Sequence, residues 1–190
     1  MKFTQRVRNS RSEYGWVSIV LHWLVALTVM GLYPLGLYIV SLSYYDPGYR
    51  FYPDIHRSVG LLLAAVLVLR LIWKFLNPSP VLLVHSGLER FAAKAGHLLL
   101  YLLLGLVLFS GYMLSTADGR SIQVFNWFSV PALPGLASRH EETAGMVHFY
   151  AATSLVVLAG LHALAALKHH FIDRNNTLKR MLGVKSEKTL

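Results

Sequence analysis

Nine histidines stand in a chain of 190 residues that has no cysteine. Without thiols there can be no disulfide, no thiolate-bound iron–sulfur cluster and no Cys-x-x-Cys-His attachment of a macrocycle. A cofactor held by this chain must therefore be held by histidine, methionine or oxygen ligands. His22, His56, His148 and His162 lie inside or at the mouth of long apolar runs, where ionisable residues are costly and functional by default. His148 and His162 are 14 residues apart on one run. At about 3.6 residues per turn and 1.5 Å of rise, that is close to four turns, one shared helix face and ~21 Å along the axis. Two separate metal positions follow, one towards each end of the run.

His22 lies at the depth of His162, and His56 at the depth of His148. A single intramembrane histidine can serve merely to hydrogen-bond a neighbouring helix, a contact worth about 0.6 kcal/mol on average. Four histidines at two matched depths point instead to two bis-imidazole sites. Two axial nitrogens in an apolar slot suit a low-spin b-type haem, whereas zinc calls for four ligands around one point.

The elements that must position these residues are legible from composition. The chain is 55% hydrophobic and 14% charged, with a mean hydropathy of +0.48; soluble domains carry about 25% charged residues. Four apolar stretches, Trp16–Val40, Ile55–Leu76, Phe91–Ala117 and Thr143–Leu167, each reach the ~20 residues that a helix needs to cross a bilayer. Short polar connections between them predict an all-α, integral-membrane, antiparallel four-helix bundle, forming one domain over residues 1–190. The net charge of +9 does not indicate nucleic acid, because the basic residues sit at the ends of the apolar runs. The N-terminal tail, the connection between the second and third spans with its flanks (Arg70, Lys74, Arg90 and Lys94), and the C-terminal segment hold four, four and six of the 18 basic residues. An even number of spans puts those three segments on one side, and the positive-inside rule makes it cytoplasmic, with both termini there. The first run is too long for a signal-peptide core and has no small-x-small site, so it is expected as an uncleaved span. The loop Asp118–Glu142 contains Val124-Phe125-Asn126-Trp127-Phe128, expected as an interfacial anchor, with docking of a partner as the alternative. Gly31, Gly36, Gly60, Gly96, Gly105, Gly111, Gly145 and Gly160 lie in the spans, where glycine permits close helix approach or makes room for a macrocycle.

Several runs together resemble the bacterial cytochrome b561 family. They are Ile19-Val20-Leu21-His22-Trp23-Leu24, Asp54-Ile55-His56-Arg57-Ser58-Val59-Gly60, Gly96-His97-Leu98 with Tyr101, and Gly160-Leu161-His162-Ala163 through to His169-His170. The tail from Asp173 to Met181 is similar to that family's C-terminal signature. Leu42 to Asp46 and Ser115 to Gly119 are similar to its cytochrome b561 homologue subgroup. The resemblance implies a four-helix protein of the bacterial inner membrane that carries two b-type haems and exchanges electrons with quinone, ubiquinone being the expected one. Carried over residue by residue, His22 and His162 match the inner haem's ligands, and His56 and His148 match the outer haem's. No position of that ligand pattern is missing.

His97, His169 and His170 remain near the expected cytoplasmic face. They can contact headgroups or cap a helix C-terminus, where cations are favoured, or they can serve a quinone, hydrogen-bonding a carbonyl and relaying a proton. Family similarity favours His169 as a quinone contact, with His97 and Arg70 as further contacts to quinone or to haem propionates. His85 and His140 fall in polar loops and are expected at the surface. The leading expectation is transmembrane electron transfer between quinone and a periplasmic partner, or a small reactant such as superoxide. A haem-bearing anchor subunit of a larger dehydrogenase is the alternative, and a haem-free histidine pathway for metal or protons is a third.

Overall fold

A computed structural model describes residues 4–83, 86–133 and 141–184; His85 and His140 lie outside the described residues. Four long helices dominate: α1 (Trp16–Ser41), α2 (Phe51–Leu76), α3 (Gly87–Ser115) and α4 (Glu141–Phe171). Between α3 and α4 stand two short strands, β1 (Ile122–Val124) and β2 (Phe128–Val130), and a one-turn helix α5 (Thr177–Met181) follows α4. All four long helices are long and apolar enough to cross a membrane. Their outward side chains are large and apolar, including Leu27, Val40 and Phe75 at 65%, 80% and 86% exposure. In water such a surface would drive association; in lipid it is the ordinary exterior of a membrane four-helix bundle, because helices satisfy their own backbone groups there.

The helices overrun the apolar stretches for local reasons. α2 begins at Phe51, four residues before the expected start, with Pro53 in its first turn. Proline costs nothing there, since the N–H it lacks has no intrahelical acceptor. Asp54 stands near the positive end of the helix dipole and accepts from Arg57 at 2.7 Å. α4 continues to Phe171, and its last turn holds His169, His170 and Lys168, the lysine a cation of the kind that favours a helix C-terminus. Pro34 lies inside α1 and removes the N–H that would reach the Met30 carbonyl.

The chain divides into two compact units. The first comprises Met1–Ala26, Val66–Leu99 and Leu158–Leu190, and the second Leu27–Ala65 and Leu100–Val157. In the first, polar side chains tie the terminal segments to the helices. Asn9 donates to the carbonyls of Asn77 and Pro78 at 3.3 and 3.2 Å, and its Oδ1 accepts from Gly15 N at 2.9 Å and Ser18 Oγ at 2.7 Å. Trp73 Nε1 donates to Ser18 Oγ at 2.9 Å, and Trp23 Nε1 donates to the carbonyl of Met181 in α5 at 2.8 Å. Gly15 is required at its position, since a Cβ there would overlap the Val7 carbonyl oxygen.

In the second unit the loop expected as an aromatic anchor is a β-hairpin. Strands β1 and β2 pair antiparallel, Val124 opposite Phe128, and Trp127 N donates to Val124 O at 2.8 Å. Phe125 and Asn126 take φ of 47° and 60°, the left-handed pair that a type I′ turn needs. Asparagine suits that conformation, whereas a bulky phenylalanine adopts it against its own steric preference. The hairpin is locked to α2 by Ser58, 1% exposed. Its hydroxyl donates to the Gln123 carbonyl and accepts from Phe125 N, each at 3.2 Å. Val124 is completely buried, while Trp127 and Phe128 remain exposed at the tip.

Ser58→Ala leaves a buried N–H and a carbonyl without partners, a cost of about 1–3 kcal/mol for an unsatisfied group. Protease cleavage and hydrogen exchange should increase across residues 122–130 while helicity is unchanged; equal protection in the variant would contradict the clamp.

Candidate functional site

His56 on α2 and His148 on α4 face each other in the second unit. Their ring centres are 6.2 Å apart and their planes cross at 77°. Each ring rests on a glycine. A Cβ on Gly36 would meet His56 Cε1 at 3.3 Å, and one on Gly111 would meet His148 Cε1 at 2.8 Å and Nδ1 at 2.9 Å. Any side chain at Gly111 would therefore push the His148 imidazole aside. The His148 Nδ1–H donates to the Val107 carbonyl at 2.9 Å, with Ser110 Oγ at 3.5 Å. This bond selects the tautomer whose Nε2 lone pair is free, the arrangement that orients metal-bound imidazoles. His56 Nδ1 is buried with no hydrogen-bond partner, a cost that a polar or metallic ligand would relieve.

The first unit holds the second pair. His22 on α1 and His162 on α4 have ring centres 6.5 Å apart and planes at 69°. His97 on α3 packs directly on His162, centre to centre at 5.0 Å, and its Nδ1–H donates to the Ala93 carbonyl at 2.6 Å. Arg70 on α2 donates a guanidinium N–H to His22 Nδ1 at 2.9 Å. A guanidinium is always a donor, so it covers the unprotonated nitrogen of that ring. A metal at His22 requires Arg70 to release this lone pair, or the proton to move so that Nε2 presents one. Val25 and Leu67 are buried apolar side chains of this unit, and a Cβ on Gly96 or Gly160 would meet nothing within 4 Å.

Seven residues beyond His162 on the same helix, His169 donates its Nδ1–H to Asp173 Oδ2 at 2.6 Å. The same oxygen accepts from Lys168 at 2.9 Å, and Lys168 also reaches Glu89 of α3 at 3.3 Å. Asp173 is held by the turn that ends α4. Its own N–H bonds the Lys168 carbonyl, Asn175 N bonds the His169 carbonyl, and Arg174 takes a φ of 49°. The neighbouring His170 has a buried Nδ1 without a partner.

The pairs fit an axially ligated metal. Two imidazoles on opposite sides of one ion, with bonds of about 2.0–2.1 Å and ring centres roughly 1.2 Å farther out, lie about 6.4–6.6 Å apart centre to centre. The His22–His162 spacing of 6.5 Å falls in this range and the His56–His148 spacing of 6.2 Å lies just below it, whereas His97 and His162 are in direct ring contact at 5.0 Å. Among the described residues no three of His, Cys, Asp or Glu converge on one point, so a tetrahedral zinc site has no ligand set. The seven residues given a haem or quinone contact from sequence fall into these arrangements, His56 with His148, His22 with His162, His97 and Arg70, and His169 with Asp173, whereas His170 joins none of them. Asp173 was absent from that group, although its i, i+4 spacing from His169 at a helix end is a readable signal.

Comparison with known proteins shows the family. Residues 13–184 match the family model for prokaryotic cytochrome b561. The chain belongs to this family. It is 49% identical over 187 residues to cytochrome b561 homolog 2 of Escherichia coli K12, covering 98% of this chain and 97% of that protein. It is 28% identical over 183 residues to a Yersinia pestis protein named "Probable superoxide oxidase CybB", covering 91% and 97%. Identity to cytochrome b561 homolog 1 of Escherichia coli K12 is 26% over 181 residues. Membership makes this chain a b-type haem cytochrome of electron transfer, a multi-pass protein of the bacterial inner membrane with redox partners.

The glycine contacts generate a test. Gly111→Val should displace the His148 ring and cost about 1–3 kcal/mol through overpacking, with haem content per chain reduced. Gly31→Ala is the control, since nothing lies within 4 Å of a Cβ there. Equal haem content in the two variants would contradict the role assigned to Gly111.

Proposed function

We propose that this cytochrome moves electrons across the inner membrane through two b-type haems, with both termini in the cytoplasm. His22 and His162 hold the inner haem, and His56 and His148 hold the outer one. The near-equal spacing of the two imidazole pairs, 6.5 and 6.2 Å, is the observation that carries this reading. When bound, the haems supply one-electron chemistry at iron, tuned by their axial ligands. The polypeptide's part is placement. The Val107 carbonyl orients His148, Gly36 and Gly111 leave room for the rings, and the lipid-facing helices exclude water.

At the cytoplasmic end, His97, His169 and Arg70 form the contact region for ubiquinone. Imidazole can hydrogen-bond a quinone oxygen and carry its proton, and Arg70 is a fixed cation beside His22, available to a carbonyl or to a haem propionate. At the periplasmic end the reactant is a redox partner or superoxide. The name of the Yersinia pestis relative supports superoxide as the small reactant.

A reduced-minus-oxidised spectrum with haem stoichiometry on the purified chain should give two haems b, both extractable without breaking a covalent bond. His162→Ala should remove one haem and leave the other largely in place. A colourless protein, or a variant that keeps both haems, would overturn the assignment.

A further inference from the structure

We propose that Asp173 is the positioning residue of a proton-transferring pair with His169, fixing the imidazole so that Nε2 takes the proton of a bound hydroquinone. This deepens the ubiquinone reading given above and rests on it. A hydroquinone loses two electrons and two protons from its ring oxygens when oxidised. For each electron that leaves, reducing one ferric haem iron to ferrous, one O–H bond breaks and one N–H bond forms at His169 Nε2. The proton then passes to solvent before the second transfer, and quinone reduction runs the same events in reverse.

Three observations support the assignment. First, the 2.6 Å bond from His169 Nδ1–H to Asp173 Oδ2 holds the proton on Nδ1 and leaves the lone pair on Nε2. A carboxylate in that position also stabilises the imidazolium that forms on proton uptake, as in acid–base pairs generally. Second, Asp173 is maintained as the anion. Hydrogen bonds from Lys168, and next from His169, hold its carboxyl below the usual carboxylate range. Lys168 is itself shared with Glu89, so a lysine and a second carboxylate stand beside the pair. Third, the spacing is fixed by backbone. His169 lies seven residues from His162 on the same face of α4, ~10 Å along the axis, and the bond from Asp173 N–H to the Lys168 carbonyl at 3.2 Å holds Asp173 at the helix end.

The test uses the full-length, haem-loaded protein in lipid nanodiscs with ubiquinol as reductant, comparing wild type, Asp173→Asn, Asp173→Glu and His169→Gln. Asp173→Asn should keep both haem bands and the KM for ubiquinol, but slow the maximal rate of haem reduction about 10- to 100-fold. Asp173→Glu should restore part of that rate. A second readout is independent of turnover: nitrogen NMR of protein labelled at the histidine rings, with the His169 signal identified by its absence from His169→Gln. Wild type should show His169 protonated at Nδ1, and Asp173→Asn a mixture of tautomers. An unchanged tautomer with an unchanged rate in Asp173→Asn would overturn the positioning role alone. Unchanged ubiquinol turnover in His169→Gln would overturn the quinone reading on which it rests.

Discussion

The structure depends on how an imidazole is accommodated on a helix whose solvent is hydrocarbon. A polar ring in that setting must find a partner or lose free energy, and most of the polar economy of these four helices serves that need. Four of the rings are arranged as two edge-to-face couples of nearly equal spacing. Around them lie a carbonyl at Val107, glycines at positions 36 and 111, and the guanidinium of Arg70. The rest of the lipid-facing helix surface is apolar and needs no such arrangement.

The two couples are built differently. His148 is oriented by a neutral carbonyl acceptor, and both it and His56 lean on glycine, so shape and a single hydrogen bond define them. The His22 and His162 couple is surrounded by groups that titrate or carry charge: His97 against one ring and Arg70 against the other. A cation beside an imidazole disfavours positive charge nearby and attracts anions. The first site therefore has a guanidinium bonded directly to one of its imidazoles, whereas the charge near His56 is that of Arg57, which pairs with Asp54. This difference accords with a proposed division of labour in which protons accompany electrons at one site only.

Outside the spans, hydrogen bonds from short polar side chains anchor the irregular segments. Asn9 satisfies four partners with one amide, Ser58 holds a strained hairpin turn with one hydroxyl, and Asp173 joins a histidine and a lysine through one oxygen. Each links positions far apart in sequence or closes a helix end. Such bonds set the ends of the helices, and with them the rotation that aims each histidine.

Composition and periodicity alone determined that the chain is a four-span membrane protein, because hydrocarbon demands ~20 apolar residues per crossing and tolerates little else. The pairing of His148 with His56 and of His162 with His22 was readable for a related reason: a helix has a fixed rise, so 14 residues specify both depth and face. The hairpin in the loop after α3 was not readable, since its turn places phenylalanine in a conformation that favours asparagine or glycine. It is stabilised by Ser58, a residue more than sixty positions away. Tertiary structure alone also decided which glycines matter, that Arg70 lies against His22 rather than elsewhere, and that Asp173 returns to His169. Those outcomes depend on which side chains meet across helices or around a helix end. Spacing along one helix carries no information about its neighbour's rotation.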